Sequence, residues 1–137
     1  ALIFNGFKEF VRYFIDENEI FIISHKTIYG HYDKNRTSLR LSAKNFLKQN
    51  KIFYPNSKLK VKNLIFCSSL ENKIKKINEK RCDIFIDDLE KVFLNKNFPK
   101  SCIKILFTPN IKNSDFSSWY KIKNELISIK KNFKLHN

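Results

Sequence analysis

The sequence contains no methionine and no long apolar run. Its apolar stretches fall far short of the roughly 20 residues that a helix needs to cross a bilayer, which argues against a transmembrane span. The start, Ala1 to Phe4 followed by Asn5 and Gly6, has neither the basic region nor the cleavage site of a signal peptide. We therefore expect a cytoplasmic chain without membrane contact. The missing methionine favours an internal piece of a longer protein.

Cysteine is scarce and widely spaced, at Cys67, Cys82 and Cys102. Since no C-x-x-C pair is present, the common zinc and redox motifs are excluded. Each cysteine lies in or beside an apolar run, which is typical of buried thiols. We expect free thiols in a reducing compartment.

Arginine is also scarce, because it supplies only 4 of the 27 basic residues behind the formal net charge of +14. Proteins that read nucleic acids usually rely on arginine for bidentate contacts. Abundant Lys, Asn, Ile and Phe, with few Gly and Pro, indicate an AT-rich coding sequence instead. We therefore do not expect nucleic acid as the partner, although a basic nucleic-acid-binding module remains a third alternative.

Apolar residues make up 42% of the chain, enough for one domain over residues 1–137 with its own core. Apolar spacing predicts alternating helices and strands. The predicted helices lie near residues 6–18, 37–49, 70–80, 89–94 and from 119 onward, and the strands at 20–23, 64–66, 83–86 and 103–107. Ser68 or Ser69, and Ser117 or Ser118, are the expected helix caps.

Short apolar strands joined by helices indicate a parallel sheet covered on both faces. The predicted fold class is therefore α/β, a three-layer Rossmann-like arrangement. In such folds, ligands bind beyond the carboxyl ends of the strands.

Two adjacent carboxylates, Asp87 and Asp88, follow the third predicted strand. Their mutual repulsion costs free energy unless a cation is nearby, and hard oxygen ligands suit Mg²⁺. The plain alternative is that one of them caps the helix beginning at Leu89. Capping needs one aspartate rather than two, so we expect a magnesium site.

Ser24 follows the first predicted strand, where its hydroxyl can donate to a phosphate oxygen. The alternative is an ordinary serine at a strand end. Lys73, on the helix before the Asp-Asp strand, can place a cation near phosphate, and its alternative is a solvated surface charge. His25 and Lys26, in the polar stretch after Ser24, are candidate substrate-binding residues.

Three segments together resemble the haloacid dehalogenase (HAD) superfamily of phosphohydrolases. FIIS, ending at Ser24, is similar to its second motif, ENKIKKI with Lys73 to its third, and DIFIDDLEKVF with Asp87 and Asp88 to its fourth. The strings IISHKT, FIDDLEKVF, FP and ILF-P also resemble a group of bacterial HAD-like proteins of poorly defined substrate. The resemblance runs from about Phe7 to Trp119.

The resemblance implies that Asp87 and Asp88 hold Mg²⁺ while Ser24 and Lys73 bind the phosphoryl group as catalytic residues. Lys75 or Lys76 can take the place of Lys73, because the third motif is loose. The implied function is a Mg²⁺-dependent phosphohydrolase that acts on a small phosphorylated metabolite. The alternative is a non-catalytic HAD-like domain that binds a phosphorylated ligand or a partner protein.

The first motif of the family, a strand ending in D-x-D whose first aspartate attacks phosphorus, has no counterpart in this sequence. In the family, that strand lies at the centre of the sheet, between the strands that end here at Ser24 and Asp87. We therefore expect an N-terminally truncated domain, inactive alone, whose two half-sheets face each other across a gap.

Overall fold

A computed structural model describes residues 5–25, 59 and 63–136. The predicted helix at 37–49, and Lys26 with most of the polar stretch after Ser24, lie outside the described residues. In chain order the elements are α1 (Phe7–Phe14), β1 (Ile22–His25), β2 (Leu64–Cys67), α2 (Leu70–Glu79), β3 (Ile84–Asp87), α3 (Glu90–Leu94), β4 (Ile103–Leu106) and α4 (Trp119–His136). This is the predicted mixture of helices and short strands.

The strands of the described ranges form two parallel sheets of two strands each, β1 with β2 and β3 with β4. In the first sheet Ile22 pairs with Leu64, and in the second Ile84 pairs with Ile103. A mixed α/β fold with parallel pairing is therefore confirmed.

The first strand differs from its prediction. It was expected at residues 20–23 with a stop at Ser24, but β1 spans Ile22–His25. Ser24 pairs with Phe66 and His25 with Cys67. Because ladder hydrogen bonds join backbone groups, polar side chains do not end a strand that has a partner alongside it. Ser24 is thus a strand residue rather than the first residue of a loop.

Strand residues alternate between two apolar clusters. The first cluster joins α1 and α4 to residues such as Ile22, Leu64 and Ile105. The second joins α2 and α3 to Ile23 and Phe85. Since successive side chains of a strand point to opposite faces, the two clusters lie on opposite sides of the strands. Both clusters draw residues from both sheets, so the sheets share their helical covering.

The helices α1 and α4 meet around Trp119, which is 9% exposed. Its ring lies 4.9 Å from the rings of Phe7 and Phe10 and 5.0 Å from that of Phe107. This confirms that Trp119 is a core residue of the last helix. Gly6 caps α1 with φ of 83°, a left-handed conformation that glycine adopts without steric cost.

Serine hydroxyls cap two helices as predicted. The Ser69 Oγ accepts a hydrogen bond from the Asn72 backbone N–H at 3.1 Å, and the Ser118 Oγ accepts one from the Lys121 backbone N–H at 3.2 Å.

Cys67 and Cys102 are buried, Cys82 is half-buried, and all three are free thiols, as expected. Among the described residues, no helix is long and apolar enough to cross a membrane.

Candidate functional site

Asp87 is the last residue of β3, and each of its carboxylate oxygens accepts a hydrogen bond. Oδ1 accepts from the Leu89 backbone N–H at 2.8 Å, which closes the turn into α3. Oδ2 accepts from the ammonium of Lys73 at 2.5 Å. The Asp87 backbone carbonyl accepts from the Phe107 N–H at 2.8 Å, which fixes the end of β3 against the end of β4.

Lys73 is placed by α2, which is separated from the end of β2 by two residues. Its side chain is 9% exposed, that of Asp87 is 7% exposed, and its ammonium lies 5.7 Å from the centre of the Phe85 ring. An isolated buried ammonium is expensive, and the Asp87 carboxylate offsets that cost. The surface-charge alternative for Lys73 is therefore wrong.

The ion pair also shows how the strand ends are arranged. Lys73 lies near the start of α2, close to the carboxyl end of β2, and its side chain reaches the carboxyl end of β3. The carboxyl ends of β2 and β3 therefore face the same side of the molecule. This is the side on which parallel α/β folds bind ligands.

Lys75 and Lys76, the two alternatives to Lys73, lie elsewhere on α2. Lys75 is exposed, and Lys76 donates to Glu79 Oε2 at 3.1 Å. That hydrogen bond lowers the pKa of the exposed Glu79 carboxyl. Lys75 and Lys76 line a shallow depression of about 300 Å³ together with Phe66, Cys67, Ser68 and Asn72. Only Lys73 of the three contacts Asp87 within the described residues.

Asp88 and Ser24 take no part in the Lys73–Asp87 ion pair. Asp88 is exposed at the bend after β3. Ser24 is half-buried in β1, the partner of β2, and α2 packs against β1. In the ranges that the structure covers, Ser24 forms no hydrogen bond to Lys73 or Asp87. The structure thus brings together Lys73 and Asp87, while Ser24 and Asp88 lie on the adjoining strand and turn.

The helix-cap alternative for the aspartate pair is half right. Asp87, not Asp88, accepts a backbone hydrogen bond at the entry to α3. The cap position itself is Leu89, whose side chain cannot accept one. A single aspartate therefore serves the turn, and Asp88 is exposed beside it.

The residues of this site offer Mg²⁺ two carboxylates, those of Asp87 and Asp88. Each Asp87 oxygen already accepts one hydrogen bond and retains one further lone-pair position, and Asp88 adds an exposed carboxylate. Within the described residues, no group of three or more His, Cys, Asp or Glu side chains is close enough to hold a metal. Mg²⁺ commonly takes one or two carboxylates and completes its shell with water and phosphate oxygens. Asp87 and Asp88 are the residues that would hold it.

The burial of Lys73 was missed by the sequence reasoning, although a signal for it exists. Leu70, Lys73, Ile74 and Ile77 recur at i, i+3, i+4 and i+7, which puts the lysine on the apolar stripe of α2. A lysine in such a stripe needs a buried anion, and Asp87 is that anion.

No family model, curated protein or solved structure matches the chain.

Proposed function

We propose that this chain is part of a Mg²⁺-dependent phosphohydrolase of the HAD type that acts on a small phosphorylated metabolite. The observation that supports the proposal best is the buried pair of Lys73 and Asp87 at the carboxyl ends of the strands. A lysine from one sheet's helix and an aspartate from the other sheet's strand meet where a phosphoryl group would bind. The resemblance of ENKIKKI and FIDDL to the family's motifs supports the same site.

In this proposal the residues have separate roles. Asp87 holds the Lys73 ammonium in place, and that cation together with the Ser24 hydroxyl binds phosphoryl oxygens. Asp88, exposed beside Asp87, completes the carboxylate pair. A magnesium ion bound by the two aspartates would offset further negative charge on the phosphoryl group.

The strand arrangement fits the same proposal. β1–β2 and β3–β4 are separate parallel pairs that share both apolar clusters. A further strand between β1 and β3 would complete a three-layer Rossmann-like sheet and would carry the D-x-D nucleophile. His25, at the end of β1, and Lys26 after it are then candidates for contact with the rest of the substrate.

A second candidate is a non-catalytic HAD-like domain that binds a phosphorylated ligand or a partner protein. Two observations favour it. No D-x-D occurs anywhere in the sequence, and both oxygens of Asp87 already accept hydrogen bonds from the protein. Such a site can bind phosphate without transferring it.

The coding region upstream of Ala1 separates the two candidates. We expect it to continue in frame with an apolar strand that ends in D-x-D, and we expect the longer protein to hydrolyse p-nitrophenyl phosphate only with Mg²⁺. Asp87→Asn should abolish that turnover, whereas Glu90→Gln, at a nearby exposed carboxylate, should preserve it. A longer protein that binds phosphate without turnover would establish the second candidate instead.

A further inference from the structure

Cys82 and Cys102 lie just before two paired strands. In the β3–β4 register, Ile84 pairs with Ile103, so Cys82 and Cys102 are one residue apart in register. The Ile103 N–H donates to the Asp83 carbonyl at 2.8 Å, and the two cysteines flank this hydrogen bond. When ideal strand spacing, about 4.8 Å between strands and about 3.3 Å per residue, is extended to these two residues, it gives a separation of about 6 Å between their α-carbons. That separation falls within the range that a disulfide spans.

Both thiols face the same apolar cluster. Cys102 is 5% exposed in the cluster covered by α2 and α3, and the half-buried Cys82 packs against that cluster. The backbone N–H of Cys82 donates to the Ile77 carbonyl, and that of Cys102 donates to the Pro99 carbonyl. These two hydrogen bonds hold the backbone at both cysteines.

We propose that Cys82 and Cys102 form a redox modification site, a disulfide that closes when the protein meets a low-molecular-weight disulfide such as glutathione disulfide. The Cys82 thiolate attacks one sulfur of that molecule and releases one small thiolate. The Cys102 thiolate then attacks the Cys82 sulfur and releases the second. Two electrons pass from the protein to the small disulfide, and the leaving thiolates take up the two protons.

Burial of the two thiols slows this reaction, because it raises their pKa values. Desolvation raises the pKa of Cys82, with a smaller rise from Asp83 and an opposing effect of Lys80. Desolvation, Cys82 and Asp83 together raise the pKa of Cys102 to about 11, against the effect of Lys104. Since the thiolate is the attacking species, the rate should increase roughly tenfold per pH unit from pH 7 to 9.

Cys67 provides an internal control. It is buried in the same cluster but ends β2, at the opposite end of the strands from Cys82 and Cys102. Proximity therefore predicts bridging of Cys82 to Cys102, whereas indiscriminate oxidation or unfolding would also involve Cys67.

The test is incubation of the folded chain with glutathione disulfide at pH 8.5, followed by intact mass and peptide mapping. We expect a loss of two hydrogen atoms, a linked peptide pair containing Cys82 and Cys102, and a free Cys67. Cys82→Ser and Cys102→Ser should each abolish the mass loss, whereas Cys67→Ser should preserve it, with folding of each variant checked by circular dichroism. Stable glutathione adducts without a linked pair, or pairs that include Cys67, would overturn the proposal.

Discussion

At the scale of single residues, the charge of Lys73 stabilises the buried Asp87 carboxylate of the candidate site. The ammonium and the Asp87 carboxylate are both nearly excluded from solvent, so each compensates the other's lost hydration. The Leu89 N–H bond to Oδ1 satisfies part of Asp87, but it carries no full positive charge. Removing the lysine therefore leaves a buried carboxylate without its counterion.

We expect Lys73→Met to lower the free energy of unfolding by about 3 kcal/mol, because it leaves the Asp87 charge buried and unpaired. Urea denaturation monitored by circular dichroism measures this loss. Lys75→Met, on the exposed side of the same helix, is the matched control and should change the free energy by less than about 0.5 kcal/mol. Equal effects of the two substitutions would contradict a buried pair.

Gly6 offers a second test at this scale, because its φ of 83° is unfavourable for any residue with a Cβ. We expect Gly6→Ala to cost about 1 kcal/mol in thermal or urea unfolding. The new Cβ would meet the Trp119 Cβ at 3.5 Å, an ordinary contact, so the cost comes from the backbone. Asn5→Ala, in the same turn, should be close to neutral, and a neutral Gly6→Ala would show that the turn is not left-handed.

At the scale of elements, α2 positions the site because it follows β2 and its Lys73 side chain reaches the end of β3. Its first turn is held by the Ser69 cap and by the Lys73 N–H, which donates to the Ser69 carbonyl at 3.1 Å. The apolar stripe of Ile74 and Ile77 packs the helix onto the strands. Fraying at the start of α2 would therefore displace Lys73 from Asp87.

We expect Ser69→Ala to lower the free energy of unfolding by about 1 kcal/mol, since the Asn72 N–H loses its acceptor. Ser68→Ala is the control, because the exposed Ser68 hydroxyl accepts from the Asn72 side chain at 2.9 Å and from no backbone N–H of the described residues. It should cost less than about 0.5 kcal/mol. If Ser68 proves to be the costlier residue, the cap has been assigned to the wrong serine.

The elements also show how far the sequence can predict the structure. Apolar runs identify all four described strands, because a strand covered on both faces needs little else. They misplace the end of β1, because Ser24 and His25 continue by backbone pairing with Phe66 and Cys67, which their side chains do not reveal. The pairing of β3 with β4 depends on contacts between distant segments, and local patterns do not encode it.

The candidate site was predictable in part. Asp87 follows an apolar run, and its position at a strand end is a local property of the sequence. The partner of Lys73 was not evident, because the packing of α2 determines which anion lies within its reach. The depression formed by Ser68, Asn72, Lys75 and Lys76 was also missed, since it arises only when α2 starts beside the end of β2.

At the scale of the whole molecule, the two sheets are held together by the shared clusters and by the buried Lys73–Asp87 ion pair. Each cluster contains residues of both sheets, so the same helices cover both pairs of strands. The Lys73–Asp87 contact joins the helix that follows one sheet to a strand of the other. The proposed phosphate and magnesium site lies at this junction.

The most direct test of that site is calorimetric titration of the chain with inorganic phosphate, with and without Mg²⁺. We predict phosphate binding that requires Mg²⁺ and that weakens at least about tenfold in Asp88→Asn, whose carboxylate is exposed, so that folding is preserved. Glu90→Gln, at an exposed carboxylate two residues away, should bind as the natural sequence does. Absence of phosphate binding under both conditions, or equal loss in the two variants, would contradict the account.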